Sequence, residues 1–217
     1  MDLKAQMDGI YGGMPLDEIP WNRENPPDIL VDLVETGRIA PCDAVDLGCG
    51  AGNNAVWLAS RGFRVTGLEL SPRAVELAEE RANKHGVDCR FIAADLTTEL
   101  SALDASFDFA YDWEVLHHVF PEDRERYVAN AHRMLRAGGR YLSLCFSEDD
   151  SFGSGGDGKY RTTPLGTTLY FSSEAELREL FEMQFRVEEL RTVEVPGKHG
   201  PHLAVMASMV KNEPRRG

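Results

Sequence analysis

Long apolar stretches are missing from this 217-residue sequence. No window approaches the roughly 18 consecutive apolar residues that a membrane-spanning helix requires. The N-terminus reads Met-Asp-Leu-Lys and lacks the apolar run of a secretory signal. These absences predict a cytoplasmic protein with no membrane partner.

Cysteine is also scarce, and the four residues lie far apart, at Cys42, Cys49, Cys89 and Cys145. None belongs to a Cys-x-x-Cys pair, which argues against a zinc site and against a disulfide framework. Residues 198–202 contain two histidines without a nearby set of thiolates or carboxylates, so we interpret them as a turn. We expect reduced thiols and no bound metal.

Basic residues are outnumbered, with 23 Lys and Arg against 36 Asp and Glu, a net charge of -13 and an isoelectric point near 4.9. Such a field repels phosphate backbones and anionic membranes. Acidity that serves solubility alone is the competing interpretation. A small-molecule partner is therefore expected, and nucleic acid is not.

Between residues 26 and 146, apolar strand-like runs alternate with amphipathic helical patterns. This alternation is typical of β-α units around a parallel sheet. The predicted strands are 44–47, 63–70, 89–93, 107–111 and 141–146. The helices between and before them are predicted to end at Gly37, Gly62, Gly86 and Arg136.

The C-terminal third predicts one helix opened by Ser172-Ser173-Glu174, followed by strands 185–195 and 202–210 as an antiparallel pair. The complete prediction is a single α/β domain over residues 1–217. It has a Rossmann-like, mostly parallel seven-stranded sheet, helices on both faces and an antiparallel C-terminal edge hairpin.

The most informative stretch, residues 45–54, is a strand that ends in an acid and continues into Gly48, Gly50 and Gly52 before a helix. Glycine is needed where a backbone bends sharply against a ligand. A dinucleotide-binding turn would place a third glycine at position 53, which holds Asn53. The spacing thus disfavours an NAD-dependent dehydrogenase and suits a ligand whose amine faces Asp46.

Two further acids follow the next two strands. Glu69 stands 21 residues after Gly48, about where an acid accepts hydrogen bonds from a ribose. Asp95 is placed to accept the exocyclic amine of adenine, with Leu70 and Leu96 packing on the base. An isolated acid at a strand end is more often a helix cap or turn residue, but three acids beside a glycine turn predict a nucleoside pocket.

On these residues the chain resembles the class I S-adenosylmethionine-dependent methyltransferase superfamily, with matching motifs at 45–52, 67–70, 93–96, 107–117 and 135–141. It is similar in particular to the small-molecule branch of thiopurine, thiol and tellurite-resistance methyltransferases, through Pro20-Trp21-Asn22 and residues 61–67. The resemblance implies S-adenosyl-L-methionine as cofactor. The cofactor-binding residues it implies, taken with the acids above, are Trp21, Asp46, Gly48, Gly50, Gly52, Asn53, Asn54, Glu69, Leu70, Asp95, Leu96, Asp112, Trp113 and His117.

The methyl acceptor is expected near the end of the fourth strand, because ligands of open α/β sheets bind beyond the carboxyl ends of the strands. There Asp112 faces the cationic cofactor in this prediction, and Trp113 and His118 contact the acceptor. His117 is the candidate catalytic base near neutral pH. Capping, core packing and ordinary hydrogen bonding are the alternative roles.

Two segments are candidate covers for the site. Residues 1–25 are predicted to form an arm or flap in which Tyr11 contacts the acceptor. Residues 147–168, rich in glycine, are predicted to form a flexible loop or lid carrying Tyr160 and Arg161 as acceptor contacts. A solvated loop is the alternative for this second segment.

The sequence therefore predicts an enzyme that methylates a small molecule, with a thiol or another chalcogen nucleophile as the first candidate acceptor. Methylation of an oxygen or nitrogen atom, which would require a base such as His117, is the alternative. A noncatalytic module that binds S-adenosylmethionine is a second alternative. Monomer and homodimer are both compatible with the sequence.

Overall fold

The computed structural model describes residues 2–152, 158–198 and 200–212. The helices are α1 (Leu3–Gly13), α2 (Asp28–Glu35), α3 (Asn53–Ser60), α4 (Pro72–His85), α5 (Pro121–Met134) and α6 (Glu174–Glu182). The strands are β1 (Asp43–Leu47), β2 (Arg64–Glu69), β3 (Cys89–Ala93), β4 (Phe107–Trp113), β5 (Leu135–Phe146), β6 (Tyr160–Thr162), β7 (Thr168–Tyr170), β8 (Phe185–Val195) and β9 (His202–Lys211). Short 3-10 turns cover Ser101–Leu103 and Leu116–His118.

Seven strands form one sheet in the order β3-β2-β1-β4-β5-β9-β8. β1 pairs with β2, and β2 with β3, in parallel, whereas β9 pairs antiparallel with both β5 and β8. The predicted α/β, Rossmann-like fold with its antiparallel C-terminal hairpin is confirmed. By its internal contacts the chain divides into two compact units, residues 1–96 with 107–109 and residues 97–106 with 110–217.

In the first unit, local signals determine where α4 begins and ends. Ser71 caps the helix by accepting a hydrogen bond from the Ala74 N–H, and Pro72 occupies the first turn, where a missing N–H costs nothing. Gly86 ends the helix in the left-handed conformation. The buried face consists of alanines four residues apart, which lets the helix approach the sheet closely.

In the second unit, α6 starts with a capping box in which Ser173 and Glu176 exchange side-chain and backbone hydrogen bonds. β8 buries Leu190, Val193 and Val195 and exposes residues between them, as an edge strand does. β9 instead has four consecutive buried residues, 204–207, because strands flank it on both sides.

The structure adds to the sequence prediction or departs from it at three places. Residues 1–25, predicted as an arm or flap, contain α1. Strand β5 begins at Leu135, where the sequence pattern continued a helix to Arg136. Within the predicted loop 147–168, residues 153–157 lie outside the described residues, while β6 pairs antiparallel with β7.

Candidate functional site

The glycine turn of the first unit connects β1 to α3. Gly48, Gly50 and Gly52 all have left-handed backbones, with φ of 80, 53 and 77°. L-residues adopt this region at a cost of roughly 1–2 kcal/mol each, so the turn requires glycine. The N–H groups of Gly48 and Cys49 both donate to the Leu68 carbonyl, at 2.7 and 3.0 Å, which fixes the turn against β2.

The Glu69 carboxylate is fixed at the same turn. Its Oε2 accepts the Gly50 N–H at 3.0 Å and its Oε1 accepts the Ser71 N–H at 2.9 Å. Burial raises the pKa of Glu69, while the backbone donors Ser71, Gly50 and Leu70 oppose the rise. The structure therefore holds an acceptor group at the strand end where the sequence predicted a ribose contact.

The other predicted residues of this unit lie around the turn. Asp46 is 3% exposed on β1, and Leu70 and Asn54 are half-buried. Asp95, which is exposed, and Leu96 follow β3, and the Ala94 N–H donates to the Glu69 carbonyl at 2.8 Å. That bond brings the segment after β3 to the end of β2. The cofactor contacts themselves stay predictions.

The N-terminal segment, residues 2–25, docks on the glycine turn. The Tyr11 hydroxyl accepts a hydrogen bond from Trp21 Nε1 at 2.8 Å, and Asn53 Nδ2 donates to Asn22 Oδ1 at 2.7 Å. A Cβ atom at Gly50 would lie 2.6 Å from the Tyr11 hydroxyl oxygen. Tyr11, predicted to contact the methyl acceptor, thus lies beside residues predicted to hold the cofactor.

In the second unit, Asp112 is buried and its Oδ2 accepts the Tyr141 hydroxyl proton at 2.5 Å. Burial raises the pKa of this carboxyl to about 7. Tyr141 therefore engages the side chain that the sequence predicted to face the cofactor, and the cofactor contact of Asp112 stays a prediction. Sequence position alone gave no sign of this internal partner.

Trp113 ends β4 and precedes a residue with unusual backbone geometry. Glu114 has a φ of 63°, a conformation that costs a non-glycine residue energy and that clusters at functional sites. Its N–H donates to the Leu144 carbonyl at 2.9 Å. Trp113 is half-buried, and among the described residues no acceptor bonds its buried Nε1. That indole N–H is a buried donor without a partner among the described residues.

His117 lies in the 3-10 turn after β4 and is 2% exposed. Its ring stacks on Phe146, with centroids 4.4 Å apart and planes at 15°, and its Nδ1 accepts the Phe146 N–H at 3.4 Å. Burial, together with His118, Arg124 and His202, lowers the pKa of His117 well below its ordinary value. The neutral ring therefore carries its proton on Nε2, where it is a donor.

His118, predicted to contact the methyl acceptor, packs beside His117 with ring centroids 4.8 Å apart. Burial lowers the pKa of His118 to about 4. Both histidines of the pair are neutral at physiological pH.

Arg124 was missed by the sequence analysis, because its charge-rich helix reads as a solvated face. It is 5% exposed, and its guanidinium donates to the carbonyls of Leu116 and Val119 and to Ser172 Oγ. It also lies over the Tyr170 ring, 4.6 Å from the centroid. Within the described ranges no carboxylate forms an ion pair with it. Arg124 thus anchors the turn that carries both histidines.

His202 and Asp150 form a second group that the sequence analysis missed. His202 Nδ1 lies 3.5 Å from Asp150 Oδ2, with 14% and 4% of the side chains exposed. Asp150 also accepts the N–H groups of Phe152 and Leu203, at 2.6 and 2.5 Å. The His202 ring packs 4.8 Å from both Phe146 and Phe152, centroid to centroid. No sequence signal linked positions 150 and 202.

The two predicted lid residues have different surroundings. Tyr160 is 46% exposed and contacts Phe120 and Tyr170 edge-on. Arg161 donates to the carbonyls of Glu148, Asp150 and Phe152 and lies 4.1 Å from the Phe171 ring centroid. Arg161 therefore supports the segment that holds Asp150. Its contact with the methyl acceptor stays a prediction.

Neither a metal centre nor a membrane-spanning helix is found in the described residues. No group of three or more histidine, cysteine or acidic side chains there is arranged to hold a metal ion. In the same residues no helix has the length and apolar character needed to span a membrane. All four cysteines are free thiols.

The chain is similar to known methyltransferases. A family model described as a methyltransferase domain matches residues 44–139. A 2-heptyl-1-hydroxyquinolin-4(1H)-one methyltransferase of Mycobacteroides abscessus is 29% identical over 194 residues, which cover 87% of this chain and 80% of that protein.

Two solved structures share the fold over nearly the whole chain. One, reported for the conversion of a disulfide bond into a thioacetal group during echinomycin biosynthesis, has a TM-score of 0.81 at 24% identity, covering 97% of this chain and 92% of that one. The other is a 1,6-didemethyltoxoflavin-N1-methyltransferase of Burkholderia thailandensis with S-adenosylhomocysteine bound. Its TM-score is 0.75 at 23% identity, covering 97% and 88%.

Proposed function

Because the chain belongs to the class I S-adenosylmethionine-dependent methyltransferase superfamily, we propose that it methylates a small molecule, using the glycine turn of the first unit to bind the cofactor. The observation that carries this proposal is the Glu69 carboxylate held on the Gly50 N–H at 3.0 Å. A pyrophosphate would require that N–H for itself, whereas a nucleoside requires a nearby acceptor for its ribose hydroxyls.

The residues around the turn suit each part of S-adenosylmethionine. Gly50 has no Cβ, and the Tyr11 hydroxyl lies against the space that a Cβ would fill, so a polar side-chain group is held at the backbone of the turn. Glu69 accepts from the ribose, and Asp46 accepts from the amine. Asn53, Asn54, Leu70, Asp95 and Leu96 complete the proposed cofactor set of this unit. When bound, the cofactor supplies a methyl group on a positively charged sulfur, ready for in-line transfer to a nucleophile.

On the acceptor side, we assign His117 a donor role instead of the base role predicted from sequence. The Phe146 N–H engages the only lone pair of its neutral ring, and the lowered pKa keeps that ring neutral. Its Nε2–H is then available to an acceptor atom that carries negative charge. This supports a nucleophile that ionises near neutral pH, such as a thiol with a pKa near 8.5.

A second candidate is methylation of a weakly acidic hydroxyl or amine, which requires a base. The His202–Asp150 pair favours it, because the Asp150 carboxylate 3.5 Å from Nδ1 would stabilise a proton on that nitrogen and leave Nε2 to accept one. The proteins compared above are described by a hydroxyquinolinone, by N1 of 1,6-didemethyltoxoflavin and by the conversion of a disulfide bond into a thioacetal group. Likeness to them therefore leaves open whether oxygen, nitrogen or sulfur is methylated.

Calorimetry with S-adenosylhomocysteine tests the cofactor site. Glu69→Gln should weaken binding about 10- to 100-fold, because a hydrogen bond to a charged group contributes roughly 1.5–3 kcal/mol. Glu76→Gln is the matched control, since Glu76 is exposed on α4 and pairs only with Arg73 among the described residues. Binding of NAD in place of S-adenosylhomocysteine would contradict the proposal.

The acceptor class is tested by release of S-adenosylhomocysteine with a panel of thiols, tellurite, catechols, hydroxyquinolinones and amines. Turnover of thiols or tellurite that survives His202→Gln supports the first candidate. Turnover of catechols, hydroxyquinolinones or amines that is lost in His202→Gln supports the second. Binding of the cofactor without turnover of any compound would favour a noncatalytic module.

Finally, we propose a cytoplasmic location, which the four free cysteines support. Gel filtration with light scattering decides between the monomer and the homodimer.

A further inference from the structure

The Tyr11 hydroxyl, although it belongs to the N-terminal segment, lies against the backbone of the glycine turn. Tyr11 is 5% exposed, and its hydroxyl oxygen lies where a Cβ of Gly50 would come within 2.6 Å of it. It belongs to a small apolar cluster with Ile19, Ala51 and Ala74. The hydroxyl is therefore buried against the backbone of the glycine turn.

Only part of the hydrogen-bonding capacity of this hydroxyl is used within the protein. Its oxygen accepts the Trp21 Nε1 proton at 2.8 Å. Its own proton has no acceptor among residues 2–152, 158–198 and 200–212. Burial and the neighbouring carboxylate of Glu69 raise the pKa of Tyr11 well above its ordinary value, so the proton stays on the oxygen. The group is a buried donor, and leaving a buried donor unbonded costs about 1–3 kcal/mol.

The segment that carries Tyr11 is anchored on both sides of the turn. Asp8 accepts from Ser71 Oγ and, at 3.2 Å, from the Arg73 N–H at the start of α4. Asn22, one residue after Trp21, accepts from Asn53 Nδ2 at the start of α3. These bonds fix the position of the hydroxyl before any ligand binds.

We propose that the Tyr11 hydroxyl donates a hydrogen bond to the carboxylate of the methionine moiety of S-adenosylmethionine. This inference rests on the function proposed above. Asp46 and Glu69 are acceptors, so they suit the amine and the ribose hydroxyls, which are donors. The carboxylate requires donors, and Tyr11 supplies one at the turn. The N-terminal segment then recognises the amino-acid end of the cofactor, and Trp21 is a positioning residue for Tyr11.

The test combines two variants with two ligands that differ only in the carboxylate, S-adenosylmethionine and decarboxylated S-adenosylmethionine. Calorimetry on the full chain should show that Tyr11→Phe weakens binding of S-adenosylmethionine about 10- to 100-fold. Its affinity for the decarboxylated ligand should change less than threefold. Trp21→Phe keeps the tyrosine proton but removes the N–H that holds the oxygen, so it should produce a smaller loss with the same ligand dependence.

A matched control is Tyr170→Phe, which removes a tyrosine hydroxyl bonded to Glu176 in the second unit and should leave both affinities unchanged. Equal losses for both ligands in Tyr11→Phe would overturn the inference, since the hydroxyl would then serve the fold or the nucleoside. No loss for either ligand would overturn it as well. Failure of the unaltered protein to bind S-adenosylmethionine would instead contradict the proposed function.

Discussion

Replacement of Gly52 by alanine tests how closely the glycine turn packs on its surroundings. The φ of Gly52 is 77°, and a Cβ there would lie 2.9 Å from the Ala78 Cβ and 3.2 Å from Phe91 Cζ. Neither neighbour is the end of a long flexible side chain, so relief requires α4 or the aromatic ring to move. The substitution therefore adds a packing penalty to a backbone penalty.

The two penalties can be separated with Gly37, whose φ is 72° and where an added Cβ would meet nothing within 4 Å. Gly37→Ala should cost about 1 kcal/mol, since a left-handed alanine costs roughly 1–2 kcal/mol and restriction of the unfolded chain returns about 0.4–1 kcal/mol. Gly52→Ala should cost about 2–4 kcal/mol, because overpacking adds roughly 1–3 kcal/mol.

Urea unfolding followed by circular dichroism measures both values. Equal losses in the two variants, within about 0.5 kcal/mol, would refute the packing argument. Gly50→Ala adds a third comparison, because its Cβ would lie 2.6 Å from the buried Tyr11 hydroxyl oxygen, which the Trp21 N–H holds in place. Its unfolding free energy should therefore fall by more than that of Gly37→Ala, and its affinity for S-adenosylhomocysteine should fall at least tenfold.

Two further predictions concern titratable groups of the second unit. Burial raises the pKa of Asp112 from 3.8 to about 7, so its contribution to stability is complete below pH 3.8 and is lost as the pH rises through 7, at a cost of up to about 4 kcal/mol. Asp112→Asn should remove this dependence. Between pH 4 and 7, denaturant titrations should therefore show the unaltered protein losing unfolding free energy relative to the variant. A difference between the two proteins that does not change with pH would contradict the assignment. For His117, a donor role predicts that kcat falls less in His117→Gln than in His117→Asn. The glutamine retains an N–H near the position of Nε2, whereas the asparagine retains only an acceptor near Nδ1. The reverse order would indicate a structural role.

Much of the fold could be predicted from sequence because its signals are local. Ser71-Pro72 and Gly86 determine both ends of α4, and the glycine spacing at 48–52 predicted the tight turn that the structure contains. Such signals depend on the backbone preferences of single residues. They do not require knowledge of which distant segments meet.

The features that escaped prediction depend on tertiary contacts. The segment of α1 contains Gly9, Gly12 and Gly13, which have poor helix propensity. The helix forms because Met7 and Tyr11, one turn apart, are buried. The positions of Tyr11 against Gly50 and of Asp150 against His202 likewise join residues separated by dozens of positions.

The donor role proposed for His117 would also affect the reactivity of the methyl acceptor. A donor beside a thiol stabilises the thiolate and lowers its pKa, which increases the ionised fraction but reduces the intrinsic reactivity of the sulfur. Nucleophilicity follows pKa with a coefficient of about 0.4–0.5. Lowering a pKa near 8.5 by one unit therefore raises the thiolate fraction at neutral pH by nearly tenfold and reduces reactivity only about threefold. In its proposed role, a neutral histidine donor would thus favour methylation of a thiol, while an alcohol, whose pKa lies far above neutral, would still require a base such as the proposed His202–Asp150 pair.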